Sequence, residues 1–289
     1  MKPQSNIAEN KELYQRIGTM VEGMPPFSKS VHQILTISSD TNCSPKDLVS
    51  VIEHDPVLTM KILKMVNSAF FSLSRSVASV QHALAYLGMN TIKNMAVTIA
   101  TIDALPRNNI SELSISSFLT HSLGTAAVAQ RLARECLQIR DASDYFVAGL
   151  LHDFGKAVFI QYEPSTYAKV LREAGKSDTS LEQLEVEQMG VSNAEVGAML
   201  ADSWQLPSVL VECIRTHASC DEQSSNLTLS VAAANTVVKN MKLGDSGNPE
   251  IGCFPDFVCR RLGSDLETVI AQMQDLPEEL QGFQSIVRG

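Results

Sequence analysis

The stretch SPKDLVSVIEHDPVLTMKILKMV, residues 44–66, reads as two helices in direct succession. Ser44 is a good N-cap, Pro45 fits the first helical position, and Asp47 puts a negative charge in the first turn. The device then repeats. Asp55 can cap and Pro56 can start the next helix, in which Val57, Met60, Ile62, Leu63 and Val66 give a broad apolar face. The dipeptide His54-Asp55 is thereby explained as helix punctuation, because a capping carboxylate already accepts backbone N–H bonds.

The same grammar extends along the chain. Helices are expected from Ser79 to Leu87, stopped by Gly88, and from Asn90 to Ala104. Residues 105–113, LPRNNISEL, have turn composition and form the best lobe boundary. A longer helix follows from Ile115 to Leu137, another from Ala142 into the stretch LLHDFGK (150–156), and further ones over 165–174, 180–189, 192–204, 207–216 and 226–241. GDSGNPEIGCFP (244–255) is a loop, and one or two helices interrupted at Pro277 close the chain. With no sustained strand alternation and no repeat, the fold class is all-α in two lobes. The expected divisions are a helical extension over 1–16, a first lobe over 17–112, a second over 113–240, and a loop with a helical tail over 241–289.

Composition agrees. Hydrophobic residues make up 44% of 289, enough for a large core, and glycine (15) and proline (11) are sparse. The net charge is −9 and no basic run tracks a phosphate backbone, which disfavours nucleic acid. No segment has the apolar length of a signal peptide or a membrane span, so a cytoplasmic protein without a membrane partner is expected. Six cysteines lie scattered without a CxxC, which reads as reduced thiols. Cys213, His217 and Cys220 fall close together but match no paired zinc-ligand spacing.

Phe118, His121, Thr125, Val128 and Leu132 share one helical stripe, so the His121 imidazole faces inward. Thr125 is the polar neighbour that could satisfy it. Phe146, Leu150 and Asp153 form a second stripe, and a carboxylate there is costly unless it is paired or binds a cation. Gly155 ends or bends that helix. Two readings stand: a buried Asp153–Lys156 ion pair, or part of a metal shell in which His152 and Asp153 meet ligands from a second helix. Imidazole with carboxylate suits zinc, iron or manganese better than calcium.

An ordered set of stretches resembles a known family. In the first half these are MPPFSKSVHQIL, LVSVIEHDPVLTMKILKMVNSAFFS and SVQHALAYLGMNTIKNMAV. In the second they are FLTHSLGTAAVAQRLA, YFVAGLLHDFGKAVF and EVGAMLADSWQLPSVLVECIRTHAS. Together they resemble the HDOD family, the HD-related output domains of bacterial signalling proteins and relatives of the HD phosphohydrolases. The resemblance spans residues 17 to 240. It implies an N-terminal helical bundle joined to an HD-like helical lobe. It also implies that His121, His152 and Asp153 descend from a metal-ligand set. The set's closing aspartate falls on Asn235, and a frequent histidine falls on Asn193. Thr216-His217 stands where catalytic relatives can show paired histidines, and Lys156 is the family's candidate phosphate contact.

Those departures carry a physical consequence. An amide at 235 leaves one carboxylate to face a divalent ion, and losing a ligand charge costs a few kcal/mol in a shielded site, on the order of 100-fold in affinity. No confident catalytic residue is expected, and no Walker loop, HExxH or GxSxG appears. The cofactor expectation is none, or a weakly held divalent Mn, Fe, Zn or Mg at His121, His152, Asp153 and Asn235. Lys156, Asn193 and His217 are candidate ligand contacts. The resemblance implies a non-catalytic signalling module that binds a protein partner or a small phosphorylated ligand. The alternative is a metal-dependent phosphohydrolase with a degenerate site. Phe70 and Phe71 are a candidate contact surface.

Overall fold

In a computed structural model the described residues are 4–37, 44–67, 75–177 and 179–280, with side chains from residue 12 onward. Phe70, Phe71 and Cys43 lie outside them. The elements are α1 (Gln4–Gly23), α2 (Lys29–Ile37), α3 (Pro45–Glu53), α4 (Pro56–Val66), α5 (Val80–Leu87) and α6 (Met89–Ala104). A second series follows: α7 (Ile115–Glu135), α8 (Ser143–Leu151), α9 (Gly155–Tyr162), α10 (Pro164–Ala174), α11 (Leu181–Met189) and α12 (Asn193–Ser203). The chain continues with α13 (Ser208–Thr216), a 3-10 turn (His217–Ser219), α14 (Asn226–Asn240), α15 (Asp256–Leu262) and α16 (Leu266–Gln272). Among the described residues there is no β-strand, only a bridge between Ile110 and Leu113 inside the turn that was expected there. No described helix is long and apolar enough to cross a membrane.

The caps form as the residues dictate. Ser44 and Asp47 make a reciprocal capping box on α3, and Asp55 Oδ1 accepts from the Leu58 N–H at 3.0 Å to start α4. Gly88 takes φ 81° between α5 and α6, a conformation that suits glycine. Two expectations need correcting. Val57 and Met60 are exposed on α4, whose buried face is Leu58, Ile62, Met65 and Val66. Pro277 lies in the first turn of a helical segment beginning at 276, where its missing N–H leaves no bond unmade.

α2 to α6 pack among themselves, while α7, α8 and α14 form the centre of the second set, with α12 and α13 paired beside them. α1 crosses over to lie on α12 and α9. There Arg16 donates to the Met189 carbonyl, and Phe27, just after α1, stacks on Trp204 with ring centroids 4.2 Å apart. α6 meets α8 through Lys93, buried and 3.2 Å from Asp144. One hydrophobic core runs through both sets.

Candidate functional site

Two glycines let the helices carrying the histidines close up. A methyl on Gly149 of α8 would come within 2.7 Å of the Ala126 Cα on α7, so the two backbones touch one turn beyond His121. A methyl on Gly155 would overlap the Asn193 carbonyl and reach to 2.7 Å from the Gly197 nitrogen, so α9 lies backbone to backbone on α12. Between these contacts the chain turns sharply. Phe154, Lys156 and Ala157 donate to the carbonyls three residues back, of Leu151, Asp153 and Phe154. His152 and Asp153 therefore sit in an elbow between α8 and α9. Gly155 begins a new helix, α9, that the sequence reading missed.

The elbow gathers a buried polar cluster. Ligand atoms of His121, His152 and Asp153 all lie within 4.8 Å of one another. The His152 ring is 5.4 Å from that of His121 and 5.0 Å from that of His217, centroid to centroid. His152 Nδ1 is 2.7 Å from the Gly149 carbonyl, and His217 Nδ1 is 2.8 Å from the Ile214 carbonyl. A carbonyl can only accept, so each Nδ1 carries a proton and donates to it; in the His152 imidazole, whose pKa burial lowers, Nε2 then presents a lone pair. Both Nε2 atoms face Asp153: that of His152 stands 3.4 Å from Oδ2 and that of His217 3.8 Å from Oδ1. His121 Nε2, His152 Nε2 and Asn235 Oδ1 are buried without a hydrogen-bond partner.

Charge in the cluster is fixed by burial and by one cation. Burial holds the His121 pKa well below its ordinary value, with His152 adding to the effect. Burial also lowers that of His152, against the pull of Asp153. For Asp153 burial alone would push upward, but the Lys156 ammonium outweighs it and holds the carboxyl well below the usual range. The Lys156 ammonium is 2.7 Å from Asp153 Oδ2 and 2.9 Å from the Ser246 carbonyl, and it is 2% exposed. Of the two readings left open by the sequence, the ion pair is thus present. Lys156 belongs to the first turn of α9.

Other expected residues are placed less directly. The Thr125 hydroxyl donates to the His121 carbonyl at 3.0 Å rather than to the imidazole, because a helical threonine reaches the carbonyl one turn back. Asn193 is tied to a buried carboxylate: its N–H and Nδ2 both donate to Glu185 Oε2, at 2.7 and 2.8 Å, while its Oδ1 is buried without a hydrogen-bond partner. Glu185, which also accepts from the Tyr167 hydroxyl at 2.8 Å, was missed, although it follows Leu184 on the apolar side of its helix. Cys213 is buried and its thiol is driven up to about 12 by burial, so it offers no thiolate, while His217 turns toward Asp153. The loop 244–255 was read as part of a tail but closes the site. Gly244 packs on the His121 backbone, Asp245 donates to the Ser117 carbonyl, and Ser246 receives Lys156. Beside the cluster, a cleft of about 520 Å³ is lined by His217, Asn235, Lys239, Asn248, Glu250 and Phe254, among others.

The arrangement has the geometry to hold a small divalent ion. A nitrogen of His121, a nitrogen of His152 and a carboxylate oxygen of Asp153 lie within 4.8 Å of one another, close enough to share one ion, and the donor set suits a borderline transition metal. The bond from His152 Nδ1 to the Gly149 carbonyl fixes that ring with Nε2 turned toward the site. The electrostatics oppose it, since the single carboxylate is already neutralised by Lys156.

Comparisons with known proteins agree on the fold. The HDOD domain matches residues 24–220. A structure of an HDOD domain protein of unknown function from Geobacter sulfurreducens is 23% identical, with a TM-score of 0.76 over 94% of this chain and 99% of that one. A protein from Marinobacter aquaeolei VT8, provisionally assigned to signal transduction, gives 0.79 at 21% identity over 98% of this chain and 67% of its own. One from Shewanella amazonensis SB2B, provisionally assigned as a phosphohydrolase, gives 0.70 at 24% over 93% and 97%. Among curated sequences, an uncharacterised protein of Treponema pallidum is 23% identical over 80% of this chain, and YuxH of Bacillus subtilis is 30% identical over 42%. The matched regions span 45% and 29% of those relatives, so this chain corresponds to less than half of either. With more than half its length matched by the family and the helical architecture to accompany it, this chain belongs to the HDOD family.

Proposed function

We propose that the chain is a non-catalytic signalling output module that binds a protein partner or a small phosphorylated ligand, with a hydrolase-type metal centre reduced to a structural cluster. The observation that carries this reading is the ion pair at the centre. Lys156 occupies the one carboxylate that the described residues bring to the cluster, at 2.7 Å, and the sequence has an amide at position 235 instead of a second one. A divalent ion would meet a shell of no net charge, against one or two negative charges in a working centre. The 520 Å³ cleft beside His217 and Lys239 offers room for a ligand.

The buried, unpartnered Nε2 atoms of His121 and His152 favour a second reading, a metal-dependent phosphohydrolase. In that case His121, His152, Asp153 and Asn235 would hold the ion, which would supply Lewis acidity and an activated water. Metal analysis of protein purified without supplements, followed by a phosphatase and phosphodiesterase screen with manganese, iron or zinc, separates the two. The module reading expects substoichiometric metal and no turnover. One metal per chain with turnover lost in Asp153→Ala would refute it. Asn235→Asp restores the missing charge and should raise metal affinity on the order of 100-fold, read by competition with a chromogenic chelator.

A further inference from the structure

α6 is the helix through which the α2–α6 set rests on α8, and it is buried along the whole run from Ile92 to Thr101. A helix so enclosed is ordinarily apolar all round. This one carries Lys93, Asn94, Thr98 and Thr101, and at 100° per residue the four fall within one arc of about 140°. Asn90 lies inside the same arc. This side of α6 reaches the start of α8. Lys93 Nζ is 3.2 Å from Asp144 Oδ1, and Asn90 Nδ2 donates to Asp141 Oδ1 at 3.0 Å. Asp141 also accepts from the N–H and the hydroxyl of Ser143, and the charge of Arg134 acts on it as well.

The contact is poorly balanced. The Lys93 side chain is 3% exposed, whereas that of Asp144 is 46% exposed. Taking an ammonium out of water costs hydration, and a carboxylate that stays half in water returns only part of that cost. Asn94 Oδ1 and Thr98 Oγ1 have likewise lost water, and no described residue replaces it. Thr101, by contrast, returns its hydroxyl to the Val97 carbonyl. Beside Asn94 and Thr98 a gap of about 240 Å³ separates α6 from Gln130 and Arg134 of α7 and Phe146 of α8. Swinging this end of α6 away from α8 would return water to Lys93, Asn94 and Thr98 together.

The other end of α6 is tied differently. Ile99, Ala100, Asp103 and Ala104 line a small cleft together with Phe27, whose ring stacks on Trp204 of the second set. The chain also leaves α6 there, at Leu105, and enters the turn that leads to α7. An apolar ring contact and a covalent connection thus hold the C-terminal end, about 15 Å along the axis from Lys93. We infer that α6 is a lever with two positions, pivoting at its Phe27 end and latched at the other by Lys93–Asp144 and Asn90–Asp141. Closed, the latch keeps an ion pair at the expense of three dehydrated polar groups. Open, it exchanges the pair for their hydration. The two positions differ in the surface presented where the helix sets meet, and a partner that favours one of them shifts the balance.

The test is amide hydrogen exchange of the whole chain in EDTA, read by mass spectrometry at peptide level, with Trp204 emission recorded alongside. Raising salt from about 50 mM to about 1 M screens the half-exposed pair, so exchange over residues 89–95 and 143–147 should quicken several-fold. Asp144→Lys sets a second cation against Lys93 and should quicken exchange there by about tenfold or more at low salt. Lys93→Met replaces the buried ammonium with an apolar chain of similar shape, so it should slow exchange below wild type and remove the salt dependence. Residues 99–104 and Trp204 emission should stay unchanged throughout, because the pivot does not move. Exchange over 89–95 indifferent to salt and to both variants would overturn the inference. So would an equal rise over 99–104, which means that the whole set loosens, or quickening in Lys93→Met, which makes the pair a structural contact alone. Should Asp144→Lys fail to fold, the salt series and Lys93→Met still decide. None of these readouts involves metal, ligand or turnover, so failure here leaves the proposed function standing.

Discussion

The dipeptide His-Asp occurs twice with opposite fates. Asp55 precedes a proline, caps α4 and stays near solvent, while His54 is exposed. Asp153 precedes Phe-Gly-Lys, is buried, and takes Lys156 as counter-ion. That partner makes a sharp prediction. Lys156→Met leaves a buried carboxylate uncompensated and should cost about 3–5 kcal/mol in urea denaturation under EDTA. Because the same change frees Asp153 for a cation, saturating zinc should recover much of the loss in the variant and little in the wild type. Lys239, on the cleft wall, supplies a pH test. Burial, with the charge of Lys156, lowers its pKa from 10.5 to about 8. A lysine whose folded pKa is depressed costs stability while both states are protonated, and the cost fades as pH rises from the folded to the unfolded value. Lys239→Met should therefore gain on the order of 2 kcal/mol at pH 7, with the gain shrinking between pH 8 and 10.5. A constant gain across that range would remove the electrostatic account.

At the scale of elements, the decisive contacts are helix backbones pressed together at glycines. Gly155 is the stricter of the two positions, because what a side chain there would meet is main chain on α12, which has nowhere to rotate. Gly155→Ala should cost about 3 kcal/mol or more and disturb the elbow, seen as a lower urea midpoint with an unchanged m-value. The same glycine explains the missed helix. Gly155 reads locally as a terminator, and GKAVFIQY buries its first six residues on all sides, so no polar stripe betrays it. By contrast α3, α4 and α5 were legible to within a residue, since capping side chains and proline act through bonds three or four positions away.

For the whole molecule the question is whether the two helix sets behave as one. α1 lies on α9 and α12, Phe27 stacks on Trp204, and the core is continuous. Trp204, the single tryptophan, also lies 5.5 Å from the ring of Phe154 in the elbow. Its fluorescence reports the junction between the N-terminal segment and the site. Denaturation followed by Trp204 emission and by far-ultraviolet circular dichroism should give coincident transitions. An early fluorescence change with helicity intact would show that the first set detaches on its own.

Local chemistry was enough to determine the all-helical class, most helix starts, the inward face of His121 and the separate meaning of the two His-Asp pairs. Each of these depends on residues within a turn or two of one another, where backbone geometry leaves few choices. Only the folded chain decided what Asp153 is paired with, that Asn193 serves Glu185, and that a loop 90 positions from Lys156 provides its second acceptor. It also decided which buried polar atoms go unmatched. The reason is that burial and hydrogen-bond satisfaction are properties of the space between elements. That space is set by where glycines allow helices to touch, and no spacing along the chain encodes it.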